Sequence, residues 1–415
     1  MKRPKWGVAV GLLTAAVVAA GCGSSSGGTS ASGSSSSPSG GQSHAGKYKI
    51  ALSLSYTGND WQNEAANLVK AVAATPPYDQ KVDLRVDIAG ADVTKQIQTL
   101  NNEINAGMNA IIVYPISPTA LNATIQKACQ QGIVVYAYDS LVTAPCAYNV
   151  HIDQYEWGIK SATWLAKKLN GKGQIANISG VPGTTVDTDR EQALKDVLKN
   201  YPNIHVAGSA NGEWAQAQGK TAFVQIQSGH PNLDGIYAEA GCYAITQYLI
   251  SSGKQPLPCA GEMSNGHHLY MLSKDICQKA NVDPSSCAHL PSSSAGSPVY
   301  SGELAFINSV KILEGQKIAH DTILPLPYFT TDDLDQLGVK AVGDNPAQGA
   351  LVFPPSVVSN PGFFGDFWNP LVEQGVQAAL TGKSDKISDA KPCDQVDGCK
   401  TQDKLSFDKQ HSGGN

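Results

Sequence analysis

Asn109-Ala-Ile-Ile-Val-Tyr-Pro115 and Gly132-Ile-Val-Val-Tyr-Ala-Tyr-Asp139 are short, nearly unbroken apolar runs, and residues 119–131 between them have helical character. Such runs, alternating with amphipathic helices, predict parallel strands covered on both faces. The rhythm extends in both directions. Upstream, Tyr48 to Ser55 predicts a strand, and Ala65, Leu68, Val69 and Val72 form one helical face at i, i+3, i+4, i+7. Val82 to Ile88 is the next strand; Asp92 then caps a helix carrying Val93, Ile97, Leu100 and Ile104, which Gly107 stops. After about residue 150 the pattern restarts with a helix carrying Ala162, Leu165, Ala166 and Leu169. Strands follow at 174–179, 204–209, 235–239 and 257–262, with helices at 185–200, 214–228 and 242–252 between them. The expected fold class is α/β, with two doubly wound parallel-sheet lobes. Ligands of such open sheets sit beyond the carboxyl ends of the strands.

Composition narrows the function. The chain has 415 residues, 30 Lys+Arg against 35 Asp+Glu, a formal charge of −5 and only 16% charged residues. A basic nucleic-acid binder is excluded, because phosphate contacts need clustered Lys and Arg. The 41% of hydrophobic residues supplies a core for about two domains. Nine cysteines point away from a reducing compartment.

Lys2, Arg3 and Lys5 precede a short apolar run from Val8 to Ala20, the layout of a secretory signal rather than a spanning helix. Ala19-Ala20-Gly21-Cys22 resembles the lipobox of bacterial lipoproteins, which implies cleavage after residue 21 and lipidation of Cys22. Position 19 is Ala where Leu or Val is commoner. Cleavage would leave 394 residues with 27 Lys+Arg against 35 Asp+Glu, a charge of −8. Gly23 to about Gly46 is nearly all Ser and Gly and predicts a flexible tether of roughly 25–30 Å reach. A G-x-S-x-G match at Gly23 to Gly27 falls inside it, a compositional accident rather than a nucleophile elbow.

The folded part resembles the sugar-type periplasmic binding proteins. Ile50 to Gln62 is similar to their opening strand and polar-aromatic loop, and Gln96 to Ile104 followed by Asn109 to Ala120 to their second helix and third strand. Val135-Tyr-Ala-Tyr-Asp139 resembles the fourth strand, ending in a ligand-facing Asp, and Leu324 to Asp335 a late inter-lobe crossing. The resemblance covers roughly 47–335 and implies a type I periplasmic-binding-protein fold with a multi-strand hinge. The implied organisation is a signal peptide at 1–21 and a tether at 22–46. Lobe one is 47–151 completed by 297–325, lobe two is 152–296 completed by 326–355, and 356–415 is a C-terminal extension.

Holding a sugar out of water needs directed donors and acceptors around its rim and flat apolar surfaces against its C–H faces. Trp61 and Trp214, at strand-to-helix junctions in each lobe, fall where the family places stacking aromatics; the alternative is a core role for both. Asp139 is the implied hydroxyl acceptor, or else a turn residue. Asn59 and Asp60 are loop candidates, either of which could cap the following helix, and Ser55 closes the first strand. The family's ligand-gripping Arg aligns with Thr188, leaving Arg190 two residues on as a binding or a structural residue, with Asp187 a second reader. Glu239 stands beside Ala240-Gly241, where the family carries an Asn-Asp pair, and Glu262 precedes Met263, where Asp is common. Gly296 also replaces a frequent polar residue. The second-lobe half of the pocket is therefore expected to be less polar than in a ribose binder.

The remaining cysteines, Cys129, Cys146, Cys242, Cys259, Cys277, Cys287, Cys393 and Cys399, suggest disulfides. Nearest-neighbour pairing closes loops of 17, 17, 10 and 6 residues among 105 possible connectivities, with 277–287 and 393–399 favoured most. Paired C-x-x-C spacing for zinc is lacking, and His267-His268 reads as a polar loop. No cofactor or metal is implied. Neither H-E-x-x-H nor a P-loop occurs, and Gly171-Lys-Gly173 follows a helix and precedes a strand, the reverse of a dinucleotide fingerprint. Phe363, Phe364, Phe367 and Trp368 form an aromatic cluster. A helix with Leu371, Val372, Val376, Ala379 and Leu380 follows, ending at Gly382 and either packed on a lobe or closing over ligand. The expectation is a monomeric, non-enzymatic, extracytoplasmic lipoprotein that captures a small carbohydrate-like ligand for an ABC permease. The rival is a receptor subunit of the same fold that signals to a membrane sensor. An extracellular hydrolase has no residue constellation behind it.

Overall fold

The computed structural model describes residues 46–55, 57–365, 375–384 and 390–405. The signal segment, Cys22, nearly all of the tether, Phe367, Trp368, Leu371 and Val372 lie outside them. In chain order the first elements are β1 (Tyr48–Leu54), α1 (Asp60–Ala73), α2 (Tyr78–Lys81), β2 (Val82–Ile88), α3 (Val93–Asn105) and β3 (Ala110–Val113). Next come α4 (Asn122–Gln130), β4 (Val134–Tyr138), β5 (Tyr148–His151), α5 (Gln154–Lys168), β6 (Lys172–Ser179), α6 (Thr185–Leu198) and β7 (Asn203–Asn211). The chain continues with α7 (Gln216–Gly229), β8 (Gly235–Ala238), α8 (Cys242–Ser251), β9 (Cys259–Glu262), α9 (Asn265–Met271) and α10 (Lys274–Lys279). It ends with β10 (Ser292–Ala295), α11 (Ser301–Leu313), β11 (Asp321–Ile323), β12 (Tyr328–Thr330), α12 (Thr331–Leu337), α13 (Val376–Thr381) and β13 (Lys400–Gln402).

These strands form two sheets. The first has the order β13-β11-β5-β4-β3-β1-β2 and the second β12-β10-β9-β8-β6-β7. All pairings are parallel except the two edges, β11 with β13 and β10 with β12. Successive side chains point to opposite faces, so each apolar strand feeds two cores. Ile50, Leu52, Ile112 and Tyr136 pack on one side of the first sheet against α1 and α11. Ala51, Ile111, Val113 and Val135 pack on the other against Leu100, Ile104 and Ile125 of α3 and α4. The second sheet repeats this, with Ile178 and Ile236 against Phe223 and Ile245 of α7 and α8. Four connections pass between the sheets: short ones at 152–153, 296–300 and 324–327, and a long one from β12 to β13 that carries α12 and α13. Among the described residues no helix is long and apolar enough to cross a membrane.

Short polar side chains set the helix starts. Asn59, Asp92, Asp153 and Thr184 each accept a hydrogen bond from a backbone N–H in the first turn of the helix they cap. Four disulfides join Cys129 to Cys146, Cys242 to Cys259, Cys277 to Cys287 and Cys393 to Cys399. α13 ends at Gly382, whose left-handed backbone (φ 70°) closes it.

One expectation is corrected. His267 and His268 lie in α9 rather than a polar loop, and both are fully buried. The cause is β10, whose serines answer them: Ser292 Oγ lies 2.6 Å from His267 Nε2 and Ser294 Oγ 2.7 Å from His268 Nε2. Burial pushes the two imidazoles down to about 3 and about 4, so both are neutral at pH 7.

Lobe one carries one costly group. Glu103 of α3 is fully buried beside Ser53 and Asp87. Burial raises it to about 8 from an ordinary 4.5. The folded state therefore holds this proton where the unfolded chain has lost it. The stability that the proton supports is full below about pH 4.5 and is lost as pH rises through about 8. Glu103→Gln should flatten that part of the profile, giving a higher Tm than the parent at pH 9 and little difference at pH 5. Thermal melts across this range test it, and a variant that melts lower than the parent at pH 9 contradicts the assignment.

A candidate ligand cleft between the two sheets

Both sheets present their strand ends to a common cleft, and a cavity of about 290 Å³, part of it open to solvent, lies there. The N-cap and first turn of α1 contribute Asn59, Trp61 and Gln62, the end of β3 Tyr114, and the end of β4 Asp139. From the second half come Val186 and Arg190 on α6, Trp214 after β7 and Glu262 ending β9. Ser297, in the second connection, and Phe364, from the C-terminal segment, complete the lining.

Arg190 organises the site. It is 1% exposed, and its guanidinium lies 4.0 Å from the centre of the Trp157 ring. Nε donates to Gln154 Oε1 at 2.9 Å and Nη1 to Glu262 Oε2 at 2.5 Å, while Glu239 Oε2 lies 3.8 Å from Nη1. Nη2 is buried and has no hydrogen-bond partner among the described residues. Burial disfavours the Arg190 charge, but Glu262, Glu239 and Asp139 outweigh that effect and hold it cationic. Burial raises Glu262 to about 7 against the pull of Arg190, and Glu239 much further. Arg190 and Glu262 are therefore the directly bonded pair, with Glu262 ionising through neutral pH.

Asp139 sits at φ 61°, a left-handed conformation that costs energy outside glycine. Its Oδ1 accepts from Ser297 Oγ at 2.5 Å and from Gln154 Nε2 at 3.1 Å. Gln154 thus links Asp139 of the first half to Arg190 of the second. Burial raises the Asp139 carboxyl, with Ser297 and Arg190 opposing.

Both cavity tryptophans are largely buried, and each has its indole N–H bonded. Trp61 Nε1 donates to the Ser297 carbonyl at 2.6 Å, and its ring stacks on Tyr138 with centroids 6.2 Å apart and meets Tyr114 edge-on at 5.8 Å. Trp214 Nε1 donates to Glu239 Oε2 at 2.7 Å. Glu213 and Trp214 both have positive φ, and the indole lies flat on Gly180, where a Cβ would come within 2.1 Å of Nε1. Core packing and cavity lining coexist in both side chains.

Of the sequence candidates, Asn59, Trp61, Asp139, Arg190, Trp214 and Glu262 line the cavity. Ser55 is buried outside the lining, with no partner for its hydroxyl among the described residues. Asp60 turns to the C-terminal segment, accepting from Asn360 Nδ2 at 2.9 Å. Asp187 lies behind the lining, accepting from the Gly180 N–H at 2.8 Å, and Glu239 is occupied by Trp214. Thr188, the position aligned with the family's Arg, is exposed and bonds back to Thr184. The sequence reading missed Gln62, Tyr114, Val186, Ser297 and Phe364. Tyr114 ends a strand and was legible by that rule, whereas Ser297 and Phe364 come from connecting segments without a period.

Arg190→Ala would leave Glu262 buried without its counter-charge. The expected loss is about 3–5 kcal/mol at pH 8, shrinking toward pH 5 as the carboxyl takes up a proton instead. Urea unfolding at the two pH values measures it, and a loss that does not depend on pH contradicts the pairing.

The family described as "Periplasmic binding protein domain" matches residues 50–289. A xylitol-binding protein of Mycolicibacterium smegmatis is 26% identical over 259 residues, 61% of this chain and 70% of that protein. A ribose import binding protein of Bacillus subtilis is 24% identical over 289 residues, 68% of this chain and 88% of its own. An ABC transporter solute binding protein from Burkholderia graminis, solved with D-arabinose, superposes with a TM-score of 0.59 at 21% identity, covering 70% of this chain and 97% of that one. These relatives are named as binding proteins rather than enzymes. With more than half of its length matched, and with two parallel sheets facing a shared cleft, the chain belongs to the periplasmic binding protein domain family.

Proposed function

We propose that this protein is an extracytoplasmic solute-binding lipoprotein, anchored through Cys22, that captures a small sugar or polyol and presents it to an ABC permease as a monomer. The observation that carries the ligand reading is Arg190, which lines the cavity with a buried, unpartnered Nη2. Leaving such a donor unmet costs about 1–3 kcal/mol or more for a charged group, and a ligand hydroxyl oxygen would satisfy it. Asp139 would accept a hydroxyl hydrogen, with Asn59 and Glu262 as further polar contacts, and Trp61 and Trp214 would cover the C–H faces. Ser55, Asp60, Asp187 and Glu239 would support this set from behind.

Closure is the proposed mechanism: a ligand that touches both lobes only when they meet shifts the population toward the closed form. The lobes would be 47–151 with 297–325 and 152–296 with 326–355. Names of relatives for xylitol and ribose, and a structural neighbour holding D-arabinose, support the ligand class. Micromolar capture corresponds to about −8 kcal/mol.

A thermal-shift screen with pentoses, hexoses, polyols, nucleosides and amino acids tests the reading. A ligand at 100 times its Kd adds about 2.7 kcal/mol, so the expected result is a Tm rise of several degrees for at least one pentose or polyol. Trp61→Ala and Trp214→Ala should each weaken that response at least tenfold in concentration. Stabilisation by amino acids alone would overturn the carbohydrate reading.

A further inference from the structure

The C-terminal segment forms part of the long fourth connection between the two halves, beyond the three short ones. Leu351 and Val352 pack in the second half, in a cluster with Leu269, Met271 and Leu272. Asn265 at the start of α9 then holds the chain from both sides: its Oδ1 accepts from the Phe353 N–H and its Nδ2 donates to the Phe353 carbonyl, both at 2.8 Å. The backbone N–H groups of Asn265 and Gly266 donate to the carbonyls of Phe363 (2.6 Å) and Pro361 (2.8 Å). Over the next residues the same segment reaches the first half. Asn360 Nδ2 donates to Asp60 Oδ1 at 2.9 Å, and the Phe364 N–H donates to the Glu64 carboxylate at 3.1 and 3.3 Å. Asp60 and Glu64 lie one turn apart on α1, beside Trp61, and the Phe364 ring lines the cavity.

The two attachments differ in kind. On the second half four hydrogen bonds involve the main chain of the strap, two from backbone donors and two through a fully buried Asn265. On the first half the strap's partners are side-chain carboxylates of α1, the half-buried Asp60 and the buried Glu64, and beyond the strap Asn67 donates to the Ala379 and Leu380 carbonyls and Thr75 to that of Ser384. Elsewhere across the cleft, Thr185 Oγ1 accepts from the Leu141 N–H at 2.9 Å and lies 3.3 Å from Ser140 Oγ, and Gln154 Nε2 donates to Asp139 Oδ1 at 3.1 Å.

We propose that residues 353–364 are a strap over the cleft mouth, fixed to the second lobe and latched to α1 through Asn360–Asp60 and Phe364–Glu64, with Phe364 as a wall of the binding cavity. Opening the cleft releases the latch and withdraws Phe364 with the second lobe. Solute exchange therefore depends on a segment outside the two-lobe core, whatever the chemical class of the solute.

The test needs no ligand. In the full-length protein, hydrogen–deuterium exchange should find the amides of Asn265 and Gly266 protected at least tenfold more than that of Phe364. The double variant Asn360→Ala/Glu64→Ala should keep cooperative unfolding and show a larger radius of gyration by small-angle scattering than the parent. Phe364→Ala, which leaves every latch hydrogen bond in place, should raise acrylamide quenching of tryptophan fluorescence without that change in radius. Equal protection on both sides of the strap, or an unchanged radius in the double variant, would overturn the latch. Unchanged quenching in Phe364→Ala would overturn the wall. All three readouts remain interpretable if the carbohydrate screen fails.

Discussion

A single buried guanidinium governs the cleft. Arg190 is surrounded by more carboxyl groups than it can neutralise, with Glu262 and Glu239 beside it and Asp139 linked through Gln154. In a site so dry, each charge must be matched or its pKa moves. Glu239 stays protonated well past its ordinary range, and Glu262 titrates near neutrality. The fold supplies two donors to hold this arrangement, the Trp214 indole on Glu239 and the Ser297 N–H on Glu262. What remains unmatched is Nη2 of Arg190, a cavity-lining residue, and Oε1 of Glu239 behind it.

The position of this network follows from topology. Parallel strands place their carboxyl ends on one side, and two such sheets facing one another bring loops with no common sequence period within reach. Asp139 adopts a left-handed backbone at a strand end, and Trp214 needs the bare backbone of Gly180 beneath its indole. Both are local costs that a well-packed sheet can carry, and such costs concentrate at binding sites. Gln154 and Ser297 sit on connections between the sheets, so the groups that hold Asp139 also lie where relative motion of the lobes would be felt.

Much of the fold is legible in the sequence because its strands are short, apolar and doubly buried, a pattern that few alternatives share. Ala110 to Val113 is wholly apolar and Ile50 to Leu54 is broken only by Ser53, so neither has a polar face to confuse it with a solvent-edge strand. β10 was not legible: Ser292-Ser-Ser-Ala295 carries no apolar signal, and His267 and His268 meet the hydroxyls of Ser292 and Ser294 in this buried strand. For the cleft, strand-end position brought Trp61, Asp139 and Glu262 to attention. Orientation set the limit. Glu239 and Asp187 stand near the same loops yet point behind the lining, and Arg190 reaches the cavity where Thr188 faces solvent. Phe364 lay beyond any periodic pattern, since a segment crossing between domains is placed by tertiary contacts alone.

The most direct test of the central claim, capture of a polyhydroxylated solute at Arg190 and Asp139, is a crystal structure grown with a mixture of pentoses, hexoses and polyols. The account predicts a bound ring or polyol between Trp61 and Trp214, with an oxygen at hydrogen-bond distance from Arg190 Nη2 and another from Asp139. A bound molecule elsewhere on the protein, with Nη2 still unpartnered and the cleft filled only by water, would contradict it.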